Sequence, residues 1–249
     1  MPHISRIAWV FAFALALIAC APQRAVCAEP SELMKAIQTD DLRWVRALIA
    51  AGANVKNDVR PLREAAIRGD VPIAKALIDG GAEVNGRGYP LNAAARAGQT
   101  EMVALLIERG ADVNARDLTG YTPLMEAVLS PNGVEAAKVL LAAKADPDAE
   151  DEFCEGGSPL HWAASQGNVA MAELFLAVGM DINQQTGASA YFPGFTPLHE
   201  AAKFSQFAMV DYLIEHGAAV NVRDKHGETP LAVAFDPRVK ALLTKAGAK

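Results

Sequence analysis

Between Gly194 and Ala202 the chain reads GFTPLHEAA, which sets an imidazole, His199, directly beside a carboxylate, Glu200. Such a pair can pass a proton or ligate a metal. A second imidazole, His161, sits in SPLHWAA, and a thiol, Cys154, sits in the acid-rich stretch DPDAEDEFCE that begins at Asp146. Six carboxylates within ten residues offer the hard oxygen ligands that calcium takes. The stretch lacks the central glycine and closing glutamate of an EF-hand loop, so two other readings stand beside a calcium site. One is a solvated charged loop, the other a patch that steers a basic partner. Cys154 has no CxxC neighbour and no activating motif, which makes it a free thiol or an intermolecular partner rather than a nucleophile.

What these groups are is decided by where they recur. RPLREAA starts at Arg60, YPLNAAA at Tyr89, TPLMEAV at Thr122, SPLHWAA at Ser158, TPLHEAA at Thr196 and TPLAVAF at Thr229. An apolar segment follows each, and most close on a GA-type stop: GANV at Gly52, GAEV at Gly81, GADV at Gly110 and GAAV at Gly217, with KADP at Lys144 and GMDI at Gly179 as degenerate forms. Local chemistry makes each unit a pair of helices. The Thr is a helix cap and the Pro fits the first turn, where its missing N–H costs nothing. The Ala pair allows close approach of a neighbour. In the second helix, read as Ala208 to His216, Met209, Tyr212 and Leu213 recur at 3–4 spacing before Gly217 ends it in a left-handed turn. Pro72 likewise falls in a first turn, with Asp70 as its expected cap. Arg63, Asn92, Met125, His161, His199 and Ala232 occupy one equivalent position, and no reaction chemistry survives such exchange. The His–Glu pair is scaffolding.

The pattern resembles the ankyrin repeat, with its T-P-L-H-x-A signature, and the resemblance covers residues 31–249. It implies an all-α solenoid of stacked helix-turn-helix units with β-hairpin or loop fingers. It implies also that the repeat His hydrogen-bonds neighbouring turns, and that Trp162 faces the inner groove. Residues 32–249 then form one domain, an N-terminal cap and about six repeats of which the last is truncated. No catalytic constellation, metal set or cofactor motif stands outside the repeats, and the implied function is a non-enzymatic scaffold for a protein partner.

The first residues belong to export rather than to the fold. A short basic start, MPHISR, leads into thirteen apolar residues, IAWVFAFALALIA, too short to span a bilayer comfortably but suited to a signal-peptide core. Leu17-Ile18-Ala19-Cys20 resembles a bacterial lipobox, which makes 1–19 the signal peptide, Cys20 the lipidated residue and 20–31 a linker. Val26-Cys27-Ala28 offers a second cleavage site, giving 1–28, and an uncleaved anchor is a third reading. Both cleavages place the mature chain in the periplasm, tethered to the outer membrane if Cys20 is lipidated. The compartment permits disulfides, but Cys27 lies near the first helix and Cys154 about four units along, beyond the reach of its tether. The net charge of −6 argues against a nucleic-acid binder, which would show a basic face. A monomer is expected, with a basic protein, an enzyme or a toxin as partner.

Function is concentrated where the repeat is irregular. From terminator to the next Pro the links run 8, 8, 12, 14, 17 and 12 residues, while the helix pairs hardly vary in length. Long links carry fingers, and insertions in repeat arrays cluster on the binding face. Residues 111–189 hold three basic and twelve acidic side chains, net −9, between flanks of +2 and +1. Phe153, Trp162, Tyr191 and Phe192 are the expected partner anchors, with Glu126, Glu150 and Asp151 supplying complementary charge. Packing of the insertion with Tyr191 and Phe192 against adjacent helices stands as the other reading, and for Trp162 a partly buried filler between repeats. Three functions follow: a periplasmic scaffold, an immunity or inhibitor protein that blocks a secreted toxin, and an accessory factor that supports a periplasmic enzyme such as a catalase.

Overall fold

A computed structural model of the chain describes residues 31–150, 157–187 and 191–249. The export segment with Cys20 and Cys27 lies outside the described residues, as do Asp151, Phe153 and Cys154. The elements are α1 (Glu32–Gln38), α2 (Leu42–Ala50), α3 (Arg60–Arg68), α4 (Val71–Asp79), α5 (Pro90–Arg96), α6 (Thr100–Glu108) and α7 (Pro123–Val128), then α8 (Val134–Ala142), α9 (Pro159–Gln166), α10 (Val169–Ala177), α11 (Pro197–Lys203), α12 (Phe207–Glu215), α13 (Pro230–Val233) and α14 (Pro237–Lys245). They form seven pairs. Each odd helix packs on the next odd helix and each even helix on the next even one, so the array is a row of bricks.

The bricks begin as the residue types require. The hydroxyls of Thr122, Thr196 and Thr229 accept hydrogen bonds from the N–H groups of Met125, His199 and Ala232 at 3.3, 3.4 and 3.4 Å. Ala65, Ala66, Ala94, Ala95, Ala163, Ala164, Ala201 and Ala202 are fully buried, and small side chains there let successive odd helices approach. Phe175 is the largest fully buried side chain. Asp70 departs from expectation: it stands before α4 without capping it, because its carboxylate takes a hydrogen bond from Arg68 Nε at 3.0 Å. Among the described residues the fingers are turns without strands. A few backbone hydrogen bonds pinch them, such as Asp117 N–H to Tyr121 O at 3.1 Å, Asp224 N–H to Glu228 O at 2.9 Å and Thr186 N–H to Phe195 O at 2.8 Å, without building a ladder.

Helix ends obey one rule with one exception. The residue closing each pair turns left-handed: φ lies between +85° and +98° at Gly52, Gly81, Gly110, Gly179, Gly217 and Gly247, but Lys144 takes φ +66° in the fourth pair. Its N–H still reaches Leu141 O at 2.9 Å, and Ala145 N–H reaches Leu140 O at 2.9 Å, so the stop works despite the side chain.

The imidazoles are joints between bricks. His161 Nε2 lies 3.0 Å from Gln184 O and 3.1 Å from Phe195 O, which only accept, so this nitrogen carries the proton. Nδ1 then accepts from the N–H and the hydroxyl of Ser158 at 3.3 and 2.9 Å. His199 repeats the scheme with Thr196 and with Glu228 O at 3.2 Å. Burial pushes the His161 pKa down to about 4, against hydrogen bonds to carbonyls that pull it up. His199 is shifted in the same direction, again chiefly by burial. At the same position Asn92 uses its amide, donating to Tyr121 O at 2.8 Å. A further clip runs along the fingers. Asn85, Asn114, Asn183 and Asn221 each accept a backbone N–H from the following unit, at 2.9, 2.8, 2.8 and 2.8 Å.

Two expectations follow for stability. Lys144→Gly removes the left-handed cost of a side chain and stabilises the protein by about 0.5–1 kcal/mol, measurable by urea unfolding. For His161 the folded pKa lies below the unfolded value of 6.5, so its contribution is complete above pH 6.5 and drains away as pH falls to about 4. The loss from this one group is on the order of 3 kcal/mol. His161→Asn, borrowing the solution at Asn92, should flatten the stability profile between pH 7 and 4.5; an unchanged slope would refute the assignment.

Candidate functional site

The long link before α11 builds a column of rings. Thr186 organises it: its N–H donates to Phe195 O at 2.8 Å, and its hydroxyl accepts from Phe195 N–H at 2.9 Å. Phe195, 3% exposed, stacks on His199 with centroids 5.0 Å apart. Phe192 stacks on Phe195 at 5.0 Å, and the Lys203 ammonium lies 4.0 Å over its ring. Tyr191 meets Phe192 edge-on at 4.8 Å and stands 74% exposed. Lys225 N–H donates to Pro193 O at 3.1 Å, which ties this link to the next finger. The scaffold imidazole is thus the foot of a column whose outermost ring faces solvent.

The other expected contact residues lie in different settings. Trp162 is half-buried and sets its ring edge-on to Tyr121, with centroids 5.5 Å apart; its indole N–H is buried with no hydrogen-bond partner among the described residues. Glu150 is exposed, and a Cβ added at Gly187 would lie 3.2 Å from its carboxylate, so the acidic link abuts the aromatic one. Glu126 is not a free surface charge. It is 8% exposed, and its carboxylate is held by Arg96 Nη1 at 2.8 Å. Burial raises its pKa and Arg96 opposes the rise. Among the described residues no cluster of His, Cys, Asp or Glu could hold a metal, and no helix is long and apolar enough to cross a membrane.

A further concavity lies elsewhere. A cleft of about 880 Å³ runs over α3 and α5 towards the finger before α7, and Arg60, Arg63, Arg87, Arg96, Tyr89 and Leu118 are among its lining residues. Sequence reasoning sought long fingers and passed over this face. The usable signal was the two 8-residue links, which leave α3 and α5 uncovered, together with arginines near their Pro-Leu turns.

Comparison with known proteins fits this geometry. A family model described as ankyrin repeats (3 copies) matches residues 33–117, 62–151, 118–186 and 160–249. The mitochondrial disaggregase of Bos taurus is 35% identical over 128 residues, which are 51% of this chain and 18% of that protein. The putative ankyrin repeat protein YahD of Escherichia coli is 31% identical over 142 residues, covering 53% of this chain and 67% of that protein. The chain spans less than a third of several other relatives, among them 27% of the mouse B-cell lymphoma 3 protein homolog. The crystal structure of the human ASB11 ankyrin repeat domain superposes with a TM-score of 0.75 at 30% identity, over 88% of this chain and 99% of that one. The described residues are helical as expected, with loop fingers and no strands. The chain belongs to the ankyrin-repeat family, whose stacked units serve as scaffolds for protein–protein contact.

Proposed function

We propose that this protein is an exported scaffold of the bacterial periplasm, tethered through Cys20, which captures a protein partner on its groove and fingers without chemistry of its own. The basic start, the thirteen-residue apolar run and the Leu17-Ile18-Ala19-Cys20 sequence support export. One observation carries the binding role: Tyr191 is presented to solvent at 74% exposure on a column of rings that rests on a buried imidazole. A monomer has little reason to brace an exposed aromatic ring in this way, whereas an interface uses such a ring as a preformed anchor. Rigid display limits the ordering cost of association. An inhibitor of a toxin and a helper of a periplasmic enzyme are two forms of the same act of binding.

The test is affinity purification from the native periplasm with mass spectrometry of what is retained. Tyr191→Ala should cut partner recovery about tenfold or more, the effect of losing an interface anchor, while the melting temperature stays put. Phe192→Ala should lower both, because that ring is packed between Phe195 and Lys203. Equal recovery by the Tyr191 variant would remove the finger from the interface. Intact-mass measurement of the mature protein should show a lipidated Cys20 as its first residue, and a chain beginning at Glu29 would replace the tether with a soluble form.

A further inference from the structure

The cleft over α3 and α5 is a basic surface on an acidic protein. Its arginines differ in what already occupies them. Arg60 is held by Asp58 at 2.8 Å and Arg96 by Glu126 at 2.8 Å. Arg63 and Arg87 are exposed and form no ion pair among the described residues. The other carboxylate in the wall, Asp117, is turned into its own finger: one oxygen accepts from Thr119 N–H at 2.8 Å, Thr119 Oγ1 at 2.6 Å and Tyr121 N–H at 3.1 Å. Two guanidiniums therefore face the cleft unneutralised, while the chain as a whole carries −6.

Between the charges the surface is apolar. Leu118, 82% exposed, stands on the finger that walls one side, and Val59 and Ile67 are each 37% exposed in the same cleft. The backbone beneath is fixed rather than slack. Tyr89 stands where other units place a capping Thr or Ser, yet it takes φ +47°, a left-handed conformation that costs a bulky residue about 1–2 kcal/mol. The link before it is tightly packed: a Cβ added at Gly88 would lie 2.7 Å from Val59 O. Strained backbone held in place beside a cleft is a hallmark of binding positions.

We infer that this cleft receives an extended acidic segment of the protein partner, with carboxylates on Arg63 and Arg87 and an aliphatic or aromatic side chain between them against Leu118, Ile67 and Val59. Charge complementarity selects this occupant. Arginine offers a planar fork that pairs a carboxylate through two hydrogen bonds, and all four of the cleft's cations are arginine, none lysine. The negative field of residues 111–189 repels an acidic segment elsewhere on the chain and so directs it to this end. At about 10 Å per helix pair the cleft spans roughly 20 Å, which an extended chain crosses in about six residues. This inference deepens the scaffold reading and rests on it.

The test uses the purified full chain and a fluorescein-labelled peptide of alternating Glu and Leu about ten residues long, followed by fluorescence anisotropy. A peptide of alternating Lys and Leu is the control. The acidic peptide should bind, the basic one should not, and affinity should fall as salt rises. Arg63→Glu with Arg87→Glu should weaken binding about tenfold or more at unchanged melting temperature, since both side chains are exposed. Arg63→Gln with Arg87→Gln should show a smaller loss, and serves if charge reversal disturbs the fold. Equal binding of both peptides, or indifference to all these substitutions, overturns the inference. So does a concentration-dependent dimer in sedimentation that the reversal dissolves, because a second copy would then be the occupant. Tyr191→Ala should leave peptide affinity unaltered. Partner recovery that persists when the peptide fails to bind would sink the groove assignment and spare the scaffold.

Discussion

The structure depends on one constraint: no helix pair can bury its own apolar faces, so each needs a neighbour on both sides. The fully buried alanines of α3, α5, α9 and α11 show how the need is met, because small residues in those helices let the next brick settle against them. Stability is then a sum of nearest-neighbour contacts rather than the property of a central core. The first and last described pairs depart from the pattern: α1 and α2 begin with Ser31 and Asp41 as caps and lack the Thr-Pro-Leu turn, and α13 has four residues.

Stacking alone would let bricks slide, and polar joints set their register. His161 and His199 bridge from one helix start to the next finger, Asn92 does so with an amide, and Met125 stands there with only a sulfur 3.5 Å from Thr122 N–H. Different groups meet the same geometric demand, which is why the position tolerates such unlike side chains and why no imidazole there is free for chemistry. In the neutral tautomer both ring nitrogens of His161 are matched, and a second proton would cost the acceptor that Ser158 uses.

Much of this was legible in the chain because it rests on local chemistry repeated in order. Thr caps, first-turn prolines, paired alanines and glycine stops all act within a few residues, and each recurs. What escaped was long-range. The asparagine clips join groups about thirty residues apart, and nothing near Asn85 or Asn183 announces its partner. The repeat pattern left hairpin and loop fingers both open, and among the described residues they are loops, pinched by a few hydrogen bonds around a turn. Glu126 looked like an exposed charge until Arg96, thirty residues earlier, was seen to hold it. Phe192 proved to be both buttress and surface, a distinction that rests on where Lys203 and Phe195 are brought.

Since helix pairs of nearly fixed length stack at a fixed spacing, the repeat leaves the links as the main free variable, and two opposite uses of it are visible. The short links withdraw the finger and uncover the odd helices, and Tyr89 takes a left-handed turn beside a cleft of arginines. Lengthening one adds enough chain to stack Phe195, Phe192 and Tyr191 outward from His199. The basic cleft and the aromatic column lie in different parts of the array, with the acidic stretch beginning between them. A partner that met both would need a negative segment at one end and an apolar pocket at the other, and it could engage them in only one direction. Orientation, on this view, is written into link length and charge order rather than into any single contact.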